Sequence, residues 1–183
     1  MSTPTIEDLL SEERWADARK LIRHDLRSSP DDHWLCTRLG LTYYEERRYR
    51  LALRHSERAL RLAPACPLVL WDYAGTLQML DRHREALSIY SRLVERGALR
   101  ISRDECGEGL AWARGLVADC HYRMAGSYAA LGRHGDSERE FVAHLDMRGP
   151  GCRSIYPLNE VNSAVRHRAA RRRRKPSRRG GTV

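Results

Sequence analysis

Residues 51–64 read LALRHSERALRLAP, a helical stretch rich in arginine that keeps Ala52 and Ala59 seven apart and closes on Pro64. An alanine on a helix face lets a neighbouring backbone approach closely, so this spacing describes a helix pressed between others. The pattern recurs. Ala18 and Ala86 lie 34 residues to either side of Ala52, and Pro30 and Pro64 are also 34 apart. Leu9, Tyr43 and Leu77 share a phase, Gly40 matches Ala74, and Trp15, Tyr49 and His83 share another position. Helical periodicity dominates and strand-like alternation is nearly absent. A fixed period of this length, built from two helical segments, marks a solenoid whose small residues sit where helices of one unit meet each other and the next unit.

Leu39, Gly40, Tyr43, Ala52, Ala59 and Pro64 together resemble the tetratricopeptide repeat (TPR) family, with Ser56 standing where that family favours a bulkier group. The next unit offers Tyr73, Ala74, Leu77, Ala86, Tyr90 and Leu93, with Ala98 in place of proline. A worn first unit with a shortened first helix covers about 1–32, and the last places Met124, Ala125, Tyr128, Gly132, Ser137 and Phe141 in phase. There His144 replaces a small residue, which predicts looser stacking at that joint.

Ala86 and Ser137 are 51 residues apart, one period plus 17, so an insertion falls at about 101–117 (ISRDECGEGLAWARGLV). Leu110, Leu116 or Val117, Cys120, Met124, Tyr128 and Leu131 continue at helical spacing, which predicts a first helix lengthened by about two turns. Ser102 and Glu105 offer an earlier start as a capping box. The later start, through the Gly107/Gly109 bend, is preferred because two glycines early in a helix cost roughly 1 kcal/mol each. After RGPGC, Pro157 suits a first helical turn, and Leu158, Val161 and Val165 form a narrow apolar stripe fit to cover the last unit. The expectation is an all-α, TPR-like helical-hairpin solenoid of about four units. Its domain covers 1–165, with repeats at about 1–32, 33–66, 67–100 and 118–151, a capping helix at about 157–170, and a basic, disordered tail over 171–183.

With 183 residues the chain is long enough for one domain with a real core. A single phenylalanine leaves that core to Leu, Ala, Tyr and Trp. No run approaches the roughly 20 apolar residues needed to cross a bilayer. The opening MSTPTIEDLLSEERW is acidic and lacks the apolar stretch of a signal peptide, so the cytoplasm is the expected compartment. Five scattered cysteines, an odd number, argue against a disulfide framework. Arginine outnumbers lysine 31 to 2, which reads as the codon usage of a GC-rich bacterial genome. The net charge of +9 is a property of the tail: nine basic residues and no acid lie at or after Arg166, leaving a neutral body.

What the TPR resemblance implies for function is a protein-interaction adaptor, with the first helix of each unit lining a concave groove for a peptide or partner helix. That geometry puts Trp34, Arg38, Leu41, Tyr44, Leu68, Trp71, Asp72, Met79, Tyr122 and Arg123 in the groove. So much aromatic surface suits interface anchors, and Arg38 and Arg123 would favour acidic flanks. The competing reading is that a short array folds these side chains against its own extension. Family members that clamp a C-terminal carboxylate use lysines and asparagines. Thr37, Leu41, Trp71 and Gly75 occupy those positions, so that specificity is not expected.

Two alternatives come from other classes. Arg171, Arg172, Arg173, Arg174, Lys175, Arg178 and Arg179 make an unspecific, salt-dependent nucleic-acid contact conceivable, without aromatic residues to stack bases. Cys106, Cys120 and His121 invite a metal or thiol site. Their spacing is not that of a zinc ribbon, and Cys120 and His121 point about 100° apart on a helix, so neither a metal nor another cofactor is expected. His121 either pairs with Asp119 or faces solvent. No HExxH, GxSxG or GxxxxGK[ST] appears, so the chain is not expected to be an enzyme. Self-association through an unfilled aromatic groove stays open.

Overall fold

A computed structural model of the chain describes residues 4–157. Among them are eight helices and no strand: α1 (Ile6–Ser11), α2 (Trp15–Ser28), α3 (His33–Glu45), α4 (Tyr49–Leu62), α5 (Pro67–Met79), α6 (His83–Ile101), α7 (Leu110–Ala130) and α8 (His134–Asp146). Each helix packs on its successor, and α3 also packs on α5 and α5 on α7. The molecule is therefore an all-α helical solenoid of four hairpins, in which the first helices of successive units share one inner face.

Local chemistry starts the helices. Thr5 and Asp8 form a capping box on α1, Asp32 accepts the Leu35 N–H at 3.0 Å at the start of α3, and Pro67 opens α5. Inside each hairpin the chain turns through one residue in the left-handed region: Glu13 (φ 55°), Arg47 (59°), Asp81 (59°) and Gly132 (74°). The following arginine N–H then bonds a carbonyl five residues back: Arg14 to Leu9 at 2.9 Å, Arg48 to Tyr43 at 2.8 Å, Arg82 to Leu77 at 3.0 Å and Arg133 to Tyr128 at 2.8 Å. This closes the carbonyls that a helix end leaves open. The turn recurs at 34, 34 and then 51 residues, so it carries both the repeat and the insertion.

The small residues sit at the joints. Ala18, Ala52 and Ala86 are each 0% exposed, and Ser137 takes their place in the last unit at 3%. A Cβ added to Gly40 would lie 3.5 Å from the Ala52 carbonyl oxygen, a measure of how closely α3 and α4 approach. Ser56 turns its hydroxyl back onto that same oxygen at 3.0 Å, satisfying itself without needing bulk. His144 does not loosen the last joint in the way expected. It is wholly buried, and its Nδ1–H donates to the Ala118 carbonyl at 2.7 Å. Burial holds its pKa below the usual value, so it fills the joint as a neutral imidazole.

One core cluster joins α5, α6 and α7 through Leu77, Tyr90, Leu93, Ile101, Val117 and Met124, and a second joins α1 to α4 through Leu9, Ile22, Leu39, Tyr43 and Ala52. Helix α6 breaks at Gly97, one residue before the expected closing position, and a final turn buries Ile101 completely. A loop over 102–109 follows. Helix α7 starts after Gly109, at the later of the two starts considered, and runs 21 residues against 13 in α3 and in α5. Its residues from Gly115 to Cys120 are all buried, so it is covered on every side there. Helices α6 and α8 cover two sides; a non-helical strap over 147–157 covers a third. The expected capping helix beyond Pro157 and the basic tail over 171–183, with Arg171, Arg172, Arg173, Arg174, Lys175, Arg178 and Arg179, lie outside the described residues.

Candidate functional site

The inner face is built from α3, α5 and α7, and at its centre the structure brings together Tyr44, Trp71, Asp72 and Arg123. The Arg123 guanidinium lies 5.7 Å from the Trp71 ring centroid and 5.6 Å from that of Tyr156, and donates to Tyr44 Oη at 3.3 Å and Gln78 Oε1 at 3.4 Å. Gln78 Nε2 in turn donates to the Arg123 carbonyl at 2.9 Å and Ser127 Oγ at 3.0 Å, which locks α5 to α7. Trp71 meets Tyr90 edge-on at 5.5 Å.

Four buried polar atoms in this group, Asp72 Oδ2, Tyr90 Oη, Arg123 Nε and Tyr156 Oη, find no hydrogen-bond partner among the described residues. Desolvation pushes the Asp72 carboxyl up to about 7, against the opposing pull of Arg38 and Arg123. The centre of the face is thus aromatic and cationic, with a carboxyl held close to neutrality.

The other expected residues are distributed around this centre. Trp34, Leu41 and Tyr44 pack on the first core cluster, and Arg38 lies 5.3 Å over the Trp34 ring. Arg38 also donates to Glu7 Oε1 at 2.7 Å, so its charge is already matched inside the chain. Leu68 packs in a separate cluster with Cys36, Cys66, Val69 and Cys106, whereas Met79 is exposed.

Tyr122 and Arg123 meet the chain's own strap. Tyr156 stacks on Tyr122 with ring centroids 4.1 Å apart. The Arg153 N–H donates to the Ala111 carbonyl at 3.0 Å, and the Ile155 N–H donates to Asp119 Oδ2 at 2.9 Å. Ser154 Oγ donates to Asp119 Oδ1 at 2.5 Å. Arg148 reaches back to Ser154 Oγ at 2.6 Å and the Tyr156 carbonyl at 2.5 Å. Residues 153–156 therefore advance along α7 in its own direction, from Ala111 to Tyr122. A Cβ on Gly115 would fall 1.8 Å from the Arg153 carbonyl oxygen, so only glycine admits the strap. Gly115, Gln78, Arg148, Ser154 and Tyr156 escaped the sequence reading, and Asp119 entered it only as a partner for His121. Gly115, an isolated glycine within a helical pattern, was the signal available for a close backbone approach.

Cys106, Cys120 and His121 are not brought together. Cys120 is wholly buried in the core cluster of α5, α6 and α7, and burial pushes its thiol well above the usual range. His121 Nδ1 pairs with Glu140 Oε2 at 2.7 Å, not with Asp119, which serves the strap. Cys106 lies instead against His33 and Cys66. Burial and the Cys66 sulfur push its thiol above the usual range.

No family model matches the chain, and no curated protein sequence matches it. Solved structures of MamA share its architecture. One MamA crystal structure superposes with a TM-score of 0.60 at 14% identity, over 81% of this chain and 77% of that one. MamA 41-end from Desulfovibrio magneticus RS-1 gives 0.60 at 12% identity, over 78% and 71%. MamA AMB-1 gives 0.57 at 21% identity, over 78% and 74%. At these identities the likeness is one of fold, a TPR-like helical solenoid.

Proposed function

We propose that this TPR-like chain is a protein-interaction scaffold that holds a non-helical or helical segment of a partner protein on the inner face of α3, α5 and α7. One observation carries the reading: α7, one wall of that face, already accommodates a length of ordinary polypeptide, the strap, by means open to a peptide ligand. A buried carboxylate takes a strap backbone N–H, an aromatic ring stacks on a ring, and a cation lies over a ring. Aromatic and arginine side chains that are partly sheltered from water are the groups that dominate binding energies at interfaces. On this reading Trp34, Tyr44, Trp71 and Met79 would offer further anchors on α3 and α5. The scaffold reading takes residues 1–165 as one folding unit.

A preference for acidic flanks finds no support, because Glu7 matches Arg38 and aromatic rings enclose Arg123. No helix among the described residues is long and apolar enough to cross a membrane.

Selection of a displayed random-peptide library on the full chain tests the proposal. Recovered peptides are expected to lose binding by roughly 2 kcal/mol, about thirtyfold, with Trp71→Ala or Tyr44→Ala. Peptides that bind both variants as well as the wild type would place the interaction elsewhere and reject the inner-face reading.

A further inference from the structure

Away from the inner face, three soft or borderline donors converge from distant parts of the chain. His33 is the first residue of α3, Cys66 the residue that caps α5, and Cys106 lies in the loop between α6 and α7. Their ligand atoms all lie within 4.8 Å of one another, and His33 Nε2 is 3.2 Å from Cys106 Sγ. A tetrahedral zinc ion with Zn–S near 2.3 Å and Zn–N near 2.0 Å separates its donors by about 3.5–3.8 Å. The observed group is compact enough to surround one such ion.

We propose that His33, Cys66 and Cys106 bind one zinc ion, with the fourth position left to a solvent molecule. Two thiolates and one imidazole form a donor set suited to a d10, borderline-soft cation, and they disfavour magnesium and calcium, which take oxygen. The loop is shaped for this task. Asp104 accepts the Cys106 N–H at 3.2 Å and the Gly107 N–H at 2.9 Å (through its side chain and its carbonyl respectively), and its carboxylate pairs with Arg96 of α6. Cys66 is buried, whereas His33 and Cys106 are partly open to solvent, which gives the ion a way in. A bond between the two sulfurs alone would make no use of His33, whose Nε2 lies 3.2 Å from Cys106 Sγ.

Binding displaces one proton from each thiol into solvent and moves no electrons. Its consequence is mechanical. The ion ties the insertion loop to the start of α3 and to the residue that caps α5.

Cobalt titration of the full chain, prepared without a histidine tag, reduced and stripped with chelator, tests the site. The expected result is a thiolate-to-cobalt charge-transfer band that saturates at one equivalent and is bleached by zinc. The band is lost in Cys106→Ser, weakened in His33→Asn and retained in Cys152→Ser. Zinc is also expected to raise the Tm of the wild type and to leave that of Cys106→Ser unchanged, with both proteins equally helical by circular dichroism. A wild type that gives no such band, or a band that survives Cys106→Ser, overturns the assignment.

Discussion

Single residues decide how the strap is held. Gly115 is the sharpest case, since the Arg153 carbonyl occupies the space of any Cβ. Exchanging glycine for alanine within a helix favours that helix by roughly 1 kcal/mol, so Gly115→Ala is expected to leave α7 intact while expelling the strap. Limited tryptic digestion reads this out directly: cleavage after Arg148 and Arg153 is expected to become several-fold faster, at unchanged helix content. Equal digestion rates would mean that the strap contributes little protection. Sequence reading singled out Tyr122 and Arg123 as groove residues, because aromatic and arginine residues on a first helix advertise an interface; the structure sets both against Tyr156 of the strap. It could not find Asp119, whose role depends on a backbone N–H from 36 residues further on.

At the level of elements, the hairpin turns repeat more faithfully than their sequences do. Glu13, Arg47 and Asp81 adopt the left-handed conformation that Gly132 adopts freely, at a cost for side-chain-bearing residues of about 1 kcal/mol. Gly132→Ala is therefore expected to destabilise the protein by about 1 kcal/mol. Asp81→Gly is expected to be neutral or to stabilise by a few tenths of that, because glycine also gains entropy in the unfolded chain. Chemical denaturation of both variants checks the opposed signs. Helix existence and the long α7 were legible, since a 3.6-residue pattern and a 17-residue surplus lie within the sequence itself. The return of 147–157 along α7 was not, because RGPGCRSIYP has no periodicity of its own.

Across the whole molecule, the inner face couples three units through charge. Asp72 of α5 lies under the influence of Arg38 from α3 and Arg123 from α7, yet burial prevails and lifts its carboxyl from 3.8 to about 7. The unfolded chain then gives up that proton more readily than the folded one. The group's contribution to stability is fully present below about 3.8 and is lost as pH rises to about 7. Carboxylates held low by arginines, such as Glu46 and Asp136, act in the opposite direction. The informative measurement is therefore the Tm difference between Asp72→Asn and wild type, which is expected to grow in favour of the variant from pH 4 to pH 7. A difference that is flat with pH would show Asp72 to be solvated.

The sequence by itself determined the solenoid: its period, its helices, its small joints and the unit that carries the insertion. All of these follow from spacing along the chain, which local backbone geometry converts into faces. Tertiary structure alone decided which side chains those faces bring together. Folding placed Tyr156 over Tyr122, gave Arg123 two rings, and gathered His33, Cys66 and Cys106, residues separated by 33 and 40 positions. Contacts at such separations are set by how stacked hairpins are oriented in space, and no interval read along one chain encodes that orientation.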